Sequence, residues 1–402
     1  MSKQKRTAKT IGKPAANNTP KAAVKPPVVT KPNIVAESTQ AASPSSTPAP
    51  VKPDSNFSVV YSRMLPSWLA EHKVSLAFTT YHTNRTFFVG LSPKGEIQMN
   101  AQTFPRCMGM WVSADAQTLY LSHMYQILRF ESTQDPALLK RGVDRAYVPR
   151  HGFTTGDCDI HDIAANKHGL PVFVNTLYSC LASSSPRYSF EPIWKPKFIS
   201  KLVPEDRCHL NGLAMVEGQP RYVTCVSKSD VHDGWREHRH DGGMVIDITT
   251  DDVVAGGLAM PHSPRFYNGR LYVHNSGHGQ FGYVDLKTGE FEPIAFCPGY
   301  LRGMAFIDDF VVVGLSLSRN NINFSGLPLD DALKKHNAEA RCALHVINLN
   351  TGSVAHSIRL GGSVQEFYDV ITLANTRLPV ALNFNKSDLP RLLNAPPPRT
   401  QG

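Results

Sequence analysis

The sequence predicts an all-β fold, a six-bladed β-propeller over residues 57–390, from two observations. From Phe57 onward, short runs of apolar, β-branched and aromatic residues alternate with Gly, Asn, Asp or Pro turns, which is the pattern of an all-β protein. One sequence element also recurs six times at a spacing of about 50 residues, which indicates a propeller or a repeat array. The copies are RCMGMWV (106–112), DIHDIAA (159–165), HLNGLAM (209–215), HSPRFYN (262–268), LRGMAFI (301–307) and EFYDVIT (366–372).

The spacing of the copies fits one four-stranded blade for each copy. The longest interval also contains Leu327–Ala340, which has helical periodicity, and a second short helix is predicted within Pro66–His72. We therefore interpret each copy as the inner strand of one blade. Equivalent positions in the six copies are Gly109, Asp162, Gly212, Pro264, Gly303 and Asp369.

The two ends of the repeat region predict how the ring closes. The chain after the sixth copy has room for one further strand, Leu378–Phe384, and a Pro-rich end, so the last blade lacks outer strands. Two strands before the first copy, Val74–Thr80 and Thr86–Leu91, would complete it. We predict that the N-terminal strands close the last blade, because this sharing removes the exposed edges of an open ring.

Residues 1–56 and 391–402 are predicted to be disordered. The first segment has no aromatic residue, is rich in Ala, Pro and Lys, and contains nine Lys and Arg against Glu37 and Asp54. It therefore holds most of the formal net charge of +9. A solubilising or tethering tail is the first interpretation, and an arm for nucleic acid or a membrane surface is the alternative. The nearly neutral propeller gives no strong indication of nucleic-acid binding.

The remaining composition predicts a cytoplasmic protein. There is no long apolar run for a membrane span and no apolar core of a secretory signal at the N-terminus. The seven cysteines are scattered, odd in number and form no CxxC pair, so they are predicted to be reduced, mostly buried thiols.

The start of each inner strand lies at one mouth of the channel, so polar residues at these positions should cluster in space. Ionisable groups collected in a concave site are typical of a functional site. We predict that this cluster binds a ligand. The predicted ligand-binding residues are Arg106, His161, His209, Asn211, His262, Arg302 and Glu366.

Two alternatives remain open for the same cluster. Asp159, His161, His209 and Glu366 have the carboxylate and imidazole groups that hold one divalent metal ion. Alternatively, the polar groups only join blade to blade, with Arg106 and Arg302 neutralising Asp159 and Glu366. His262 is out of step with the other histidines on a regular strand, unless the neighbouring prolines shift the register.

A polar, Gly-bounded loop between residues 232 and 241 forms a second cluster. It is interpreted as a surface loop or a lid over the mouth, with ligand contact through Arg236 or Trp235 as one alternative and metal binding as another. The loop contains His232, Asp233, Trp235, Arg236, His238, His240 and Asp241.

Long stretches of the chain resemble a bacterial family of conserved hypothetical proteins that is described only as a domain of unknown function. The resemblance covers about residues 60–385 and implies no established activity. More distantly, the blade pattern is similar to gluconolactonase-like and NHL-type propellers, which implies the architecture alone. In gluconolactonase-like propellers a cation is held by Glu, Asp and Asn side chains, for which Glu366, Asp159, Asn211 and Asp369 would stand here, but three histidines depart from that pattern. The stretches are FEPIWKPKFISKLVPEDRCHLNGLAM (190–215), DGWREHRHDGGMVIDI (233–248), MPHSPRFYNGRLYVHNSGHG (260–279) and YLRGMAFIDDFVVVGLS (300–316).

The sequence thus predicts a propeller that binds a small polar ligand, or a peptide or sugar end, at the channel mouth. A metal-dependent hydrolase or isomerase that uses the same His/Asp/Glu cluster is the alternative. A protein-interaction platform is the third possibility. The sequence has no GxSxG or P-loop motif, which argues against a serine hydrolase and against P-loop nucleotide chemistry.

Overall fold

The computed structural model describes residues 57–136, 138–140, 142–317, 326–384 and 389–393. The predicted tail 1–56 and most of the predicted disordered end 391–402 lie outside these residues. The described residues form 26 strands and two α-helices, α1 (Leu65–Glu71) and α2 (Pro328–Lys335), with 3₁₀ turns at Gly234–His238, Ser276–His278 and Leu389–Arg391. The strands are β1 (Phe57–Tyr61), β2 (Val74–Thr80), β3 (Arg85–Leu91), β4 (Ile97–Thr103), β5 (Met110–Val112), β6 (Thr118–His123), β7 (Gln126–Thr133), β8 (Arg145–Thr154), β9 (Ile160–Ala165), β10 (Pro171–Asn175), β11 (Cys180–Ser183), β12 (Glu191–Trp194), β13 (Leu210–Val216), β14 (Gln219–Cys225), β15 (Gly243–Asp247), β16 (Asp252–Leu258), β17 (Pro261–Tyr267), β18 (Arg270–Asn275), β19 (Gln280–Val284), β20 (Phe291–Phe296), β21 (Tyr300–Ile307), β22 (Phe310–Ser316), β23 (Ala343–Asn348), β24 (Val354–Gly362), β25 (Val370–Ala374) and β26 (Pro379–Ala381).

These strands form the six blades that the repeats predict. Blades 1 to 5 are the antiparallel meanders β5–β8, β9–β12, β13–β16, β17–β20 and β21–β24, and blade 6 consists of β25 with β2–β4. Each sequence copy carries the first, innermost strand of its blade. These inner strands contact one another in a closed ring, from β5 to β9 and onward to β25, which contacts β5. The prediction of an all-β, six-bladed propeller is confirmed.

Blade 6 closes the ring as predicted, since β2 pairs antiparallel with β25 from Val74 opposite Ala374 to Phe78 opposite Val370. Two further strands extend the neighbouring blades. β1 adds to the outer edge of blade 5 beside β24, and β26 adds in parallel to β8 of blade 1. The strand predicted over Leu378–Phe384 is therefore shorter, and it lies in blade 1 because blade 6 is already filled by β2–β4.

The inner strands approach closely because glycine alternates with larger residues around the ring. Glycine occupies the equivalent position in blades 1, 3 and 5, and Asp or Pro occupies it in blades 2, 4 and 6. A Cβ added at Gly109 would lie 3.0 Å from Cα of Asp162, and one added at Gly303 would lie 2.8 Å from Cα of Asp369. No side chain fits between these backbones, so the glycines allow the channel to be narrow.

Hydroxyl groups on or just after second strands join several blades to the next. Thr79 of blade 6 donates to the Met108 carbonyl that leads into blade 1, at 2.6 Å. Equivalent bonds cross other junctions, so the side chains satisfy carbonyls that a strand start leaves open. They are Thr176 to Leu210 O (2.6 Å), Ser276 to Leu301 O (2.8 Å) and Ser316 to Phe367 O (3.1 Å).

Both predicted helical segments contain a helix. α1 buries Leu65, Trp68 and Leu69 in the apolar core between blades 5 and 6. α2 begins with Pro328, has acidic residues in its first turn and lysines in its last, the arrangement that complements the helix dipole. Leu329 of α2 packs in a cluster with Trp235, so the insertion supports the loop at the channel mouth.

Candidate functional site

The chain turns sharply before it enters at least four of the inner strands, and Met260 before β17 is one of the turning residues, with φ 48°. Arg106, Asp159 and His209 occupy the same position in their repeats, and their φ angles are 49°, 50° and 50°. This left-handed conformation costs a non-glycine residue about 1 kcal/mol. Its repetition at equivalent positions turns successive strand starts, and their polar side chains, toward one mouth of the channel.

A cavity of about 180 Å³ lies at this mouth and is called the mouth cavity here. The lining combines acidic, basic and aromatic side chains with two methionines. The lining residues are Tyr81, His82, Met108, Asp159, His161, Asp206, His209, Trp235, Arg236, Met260, Arg302, Glu366 and Tyr368.

Four of the seven predicted ligand-binding residues line the mouth cavity: His161, His209, Arg302 and Glu366. The other three lie elsewhere. Arg106 lies beside the cavity, where its guanidinium contacts Asp157 at 2.5 Å and Asp159 at 2.9 Å.

Asn211 and His262 line a second, much smaller cavity of about 10 Å³. The pairing register of β17 shifts between His262 and Arg265, as required for His262 to face the channel. Burial lowers the pKa of His262 well below its ordinary value. Nε2 of His262 lies 3.4 Å from the Asn211 amide nitrogen, so these two residues connect blades 3 and 4.

His209 is fixed by two contacts on the wall of the mouth cavity. Its Nδ1 donates to Oδ2 of Asp206 at 2.8 Å, and its ring stacks on Trp235 with centroids 4.1 Å apart. The indole N–H of Trp235 donates to the same Asp206 oxygen at 2.9 Å. Asp206 therefore orients both rings.

His161 is held in a similar way by uncharged groups. Its Nδ1 lies 2.9 Å from the Asp159 carbonyl and 2.9 Å from Oγ1 of Thr176. Burial lowers the pKa of His161 to about 4, so the ring is neutral near neutral pH. His161 and His209 meet edge to face with centroids 4.8 Å apart.

Arg302 is a positively charged residue of the cavity lining. Its Nη1 donates to Oε1 of Glu366 at 3.0 Å, and its guanidinium lies 4.7 Å from the centroid of the Tyr368 ring. The second carboxylate oxygen of Glu366 is 3.1 Å from Nε2 of His82. Arg106 pairs with Asp159 and Arg302 pairs with Glu366, as expected if the polar groups only join blade to blade.

Some buried polar atoms of the lining have no hydrogen-bond partner in the described part of the chain. They include the hydroxyl of Tyr368 and Oδ1 of Asp206. Tyr368 is only 6 % exposed, and burial raises its pKa well above the ordinary value, so the phenol keeps its proton. An unpartnered buried hydroxyl costs about 1–3 kcal/mol, which marks it as a group that a ligand can satisfy.

The loop of residues 232–241 reaches the mouth through two residues. Trp235 is 2 % exposed and lines the cavity, and the Arg236 guanidinium lies 4.4 Å from the indole centroid. His232 and His238 instead face a separate surface groove on the same loop. The loop therefore covers one side of the mouth, in agreement with the lid interpretation.

Arg265 and two buried aspartates form a charged cluster that joins neighbouring blades. The Arg265 guanidinium contacts Asp162 at 2.7 Å and lies 3.7 Å from Asp369. Each aspartate also accepts a backbone N–H from a neighbouring blade, Asp162 from Leu213 and Asp369 from Met110. Burial raises the pKa of Asp369 to about 7. These groups have structural partners, so they do not belong to the open cavity.

The metal alternative receives little geometric support. Within the residues that the structure describes, no three His, Cys, Asp or Glu side chains are arranged to hold a metal ion. Of the four predicted ligands, Glu366 is engaged by Arg302 and His82, and Asp159 by Arg106.

Several lining residues were not among the sequence predictions. Tyr81 and His82 lie in the turn between β2 and β3, outside the six copies, and Asp206 lies in a loop. One signal was available for Tyr368, because it belongs to the sixth copy of the repeat, two residues after Glu366.

Comparisons with known proteins identify a family. No curated protein matches the chain. A chain of the solved structure titled "Crystal structure of Nidogen/Laminin Complex" is 10 % identical, with a TM-score of 0.47, and the similarity covers 75 % of this chain and 99 % of that chain. In the described part of the protein, no helix has the length and apolar character to cross a membrane. Residues 63–382 match the family described as "Domain of unknown function (DUF4915)", which confirms the resemblance inferred from the sequence, and the chain belongs to this family.

Proposed function

We propose that the protein binds a small polar molecule in the mouth cavity. The observation that carries this proposal is the hydroxyl of Tyr368, which is buried in the cavity lining without a partner among the described residues. A fold that gains nothing from this hydroxyl would be more stable with phenylalanine there, by about 1 kcal/mol. A ligand that accepts or donates a hydrogen bond at this place accounts for the tyrosine.

The surroundings of Tyr368 support a ligand site. The cavity is concave and small, and it gathers groups from blades 2, 3, 5 and 6 together with the loop that contains Trp235. Such convergence of polar groups with aromatic walls is typical of small-molecule sites. Arg302, His161 and His209 supply fixed hydrogen-bonding groups, because each is already held by a neighbour.

A cytoplasmic location is part of this proposal. All seven cysteines are free and buried, which fits a reducing compartment. The ligand would then be a cytoplasmic metabolite.

A metal-dependent hydrolase or isomerase is the second candidate. The anchored Nδ1 atoms of His161 and His209 favour it, because metal-binding histidines usually donate the other ring N–H to a carboxylate or carbonyl. Elemental analysis of the purified protein tests it. Stoichiometric metal that is lost in a His161→Ala, His209→Ala double variant supports this candidate, and an equal metal content in both proteins rejects it.

A thermal-shift screen of polar metabolites tests the principal proposal. We expect compounds that raise the Tm of the wild-type protein but not that of Tyr368→Phe. Tyr147→Phe is the matched control, because its buried hydroxyl donates to the Ala116 carbonyl at 2.7 Å, far from the cavity. A screen in which no compound raises the Tm, or in which every hit acts equally on Tyr368→Phe, contradicts the proposal.

A further inference from the structure

The hydrogen bonds around the two histidines determine which nitrogen carries the proton. Thr176 has one hydroxyl proton, and it is used in the bond to the Leu210 carbonyl at 2.6 Å. Nδ1 of His161 must therefore be the donor toward Thr176 Oγ1 and the Asp159 carbonyl. In the neutral ring, Nε2 is then a bare acceptor.

The same argument applies to His209. Its Nδ1 faces a carboxylate oxygen of Asp206 that also receives the indole N–H of Trp235, so Nδ1 is the donor. A ring with its single proton on Nδ1 again presents an acceptor at Nε2. Neither Nε2 has a hydrogen-bond partner among the residues that the structure describes, and both rings line the mouth cavity. This wall of the cavity thus offers two neighbouring lone pairs.

The charges near the mouth leave one carboxylate without a cationic side-chain partner. Arg106 pairs with Asp157 and Asp159, Arg302 with Glu366, and Arg236 with Asp233. In the described structure the carboxylate of Asp206 has hydrogen bonds only with His209 and Trp235, and its Oδ1 has no partner. A carboxylate that is 16 % exposed and whose Oδ1 is buried without a partner in the described residues favours a positively charged neighbour.

We propose that the occupant of the mouth cavity carries a protonated amine, which donates N–H bonds to Nε2 of His161 and His209 and balances the charge of Asp206. This inference rests on the proposed function and names the chemical class of the ligand. The ring of Tyr81 in the lining agrees with it, because aromatic rings attract cations. An anionic ligand would meet an excess of carboxylates.

Four probes of matched size test the charge and the N–H donors separately. They are butylamine, butyltrimethylammonium, 1-butanol and butyrate, and their binding to the full-length wild-type protein is measured by saturation-transfer NMR. We expect butylamine to bind at least about tenfold more tightly than 1-butanol or butyrate, as for a charged hydrogen bond. Butyltrimethylammonium has the charge without N–H groups, so it should bind more weakly than butylamine.

Asp206→Asn keeps the shape of the side chain and removes its charge, so it should reduce the preference for butylamine at least about fivefold. Asp251→Asn is the matched control, because Asp251 also accepts an indole N–H, from Trp194 at 2.7 Å, but lies away from the mouth. It should leave the preference unchanged. The tryptophan fluorescence of both variants reports whether the local fold persists, and the probe series on the wild-type protein needs no variant.

The outcomes separate the two proposals. If 1-butanol or butyrate binds at the mouth as tightly as butylamine, or if the hits of the metabolite screen lack a basic nitrogen, the amine inference is wrong and ligand binding stands. If butyltrimethylammonium binds as tightly as butylamine, the histidine acceptors have no role and the inference is also wrong. If neither the probes nor any screened compound binds, the proposed function fails as well.

Discussion

The indole of Trp235 stacks on the imidazole of His209 with ring centroids 4.1 Å apart, and the planes are inclined by 26°. Both rings donate to the same oxygen of Asp206. The loop over the mouth and the start of the blade 3 inner strand are therefore joined at one point. This contact fixes one wall of the mouth cavity.

Trp235→Ala should destabilise the protein and abolish ligand binding. The indole is 2 % exposed and packs with Tyr300 and Leu329, so its loss should lower the free energy of unfolding by about 3 kcal/mol. Trp235→Phe keeps the stacking and should lower it by less. Urea denaturation measures both values, and equal stability of Trp235→Ala and wild type would contradict the stacking role.

Tyr368→Phe and Tyr147→Phe should have opposite effects on stability. Tyr368 loses a hydroxyl without a described partner, so the free energy of unfolding should stay constant or rise by about 1 kcal/mol. Tyr147 loses a bond to the Ala116 carbonyl, and the value should fall by about 1 kcal/mol. Urea denaturation without ligand distinguishes the two, and a loss of stability in Tyr368→Phe would reveal a structural role for its hydroxyl.

Gly303→Ala and Gly257→Ala separate close packing from backbone strain. Both glycines have positive φ angles, 74° and 72°. A Cβ at Gly303 would lie 2.7 Å from the Val370 nitrogen, whereas one at Gly257 would have nothing within 4 Å. Gly303→Ala should therefore be destabilised by about 2 kcal/mol more than Gly257→Ala. Thermal and urea unfolding measure the difference, and similar values would mean that the inner strands can move apart.

Acidification should destabilise the propeller through its buried histidines. Burial lowers the pKa of His161, His274 and His345 to about 4, so between the ordinary histidine pKa and pH 4 the unfolded chain binds more protons than the folded one. The stability that these histidines contribute is therefore fully present at neutral pH and is lost as the pH falls toward 4. Each histidine lowers the free energy of unfolding by up to about 1.4 kcal/mol for each pH unit in this range. Asp369 has the opposite sign, because its pKa is raised to about 7.

His345→Leu tests this pH dependence away from the mouth. Nδ1 of His345 has no partner within the described residues, so the substitution removes a titrating group without breaking a known bond. The urea midpoint of the variant should fall less steeply with pH than that of the wild type. An unchanged slope would show that His345 is protonated equally in the folded and unfolded states.

The closing of blade 6 can be tested by truncation. A chain that begins at residue 63 lacks β1, the added edge strand, and should fold with reduced stability. A chain that begins at residue 104 also lacks β2–β4 and leaves β25 without its partners, so it should not fold. Circular dichroism distinguishes the two, and a folded product from the shorter chain would disprove the shared blade.

Much of the fold was predictable from the sequence because every blade repeats the same inner-strand element. The position of β26 was not, since its partner β8 lies more than 200 residues earlier and no local pattern encodes a parallel pairing at a blade edge. The site was predictable where it lies within the repeats, as at His161 and Glu366. Asp206 lies in a loop, and only the folded chain shows that it orients His209.

Nitrogen NMR of the protein labelled with ¹⁵N-histidine tests whether a ligand binds in the mouth cavity against His161 and His209. In the free protein, His161 and His209 should show a protonated Nδ1 and a bare Nε2. Addition of a ligand from the metabolite screen should shift both Nε2 signals and leave those of the remote His345 unchanged. Binding without a change at His161 and His209, or protons on Nε2 in the free protein, would contradict the account.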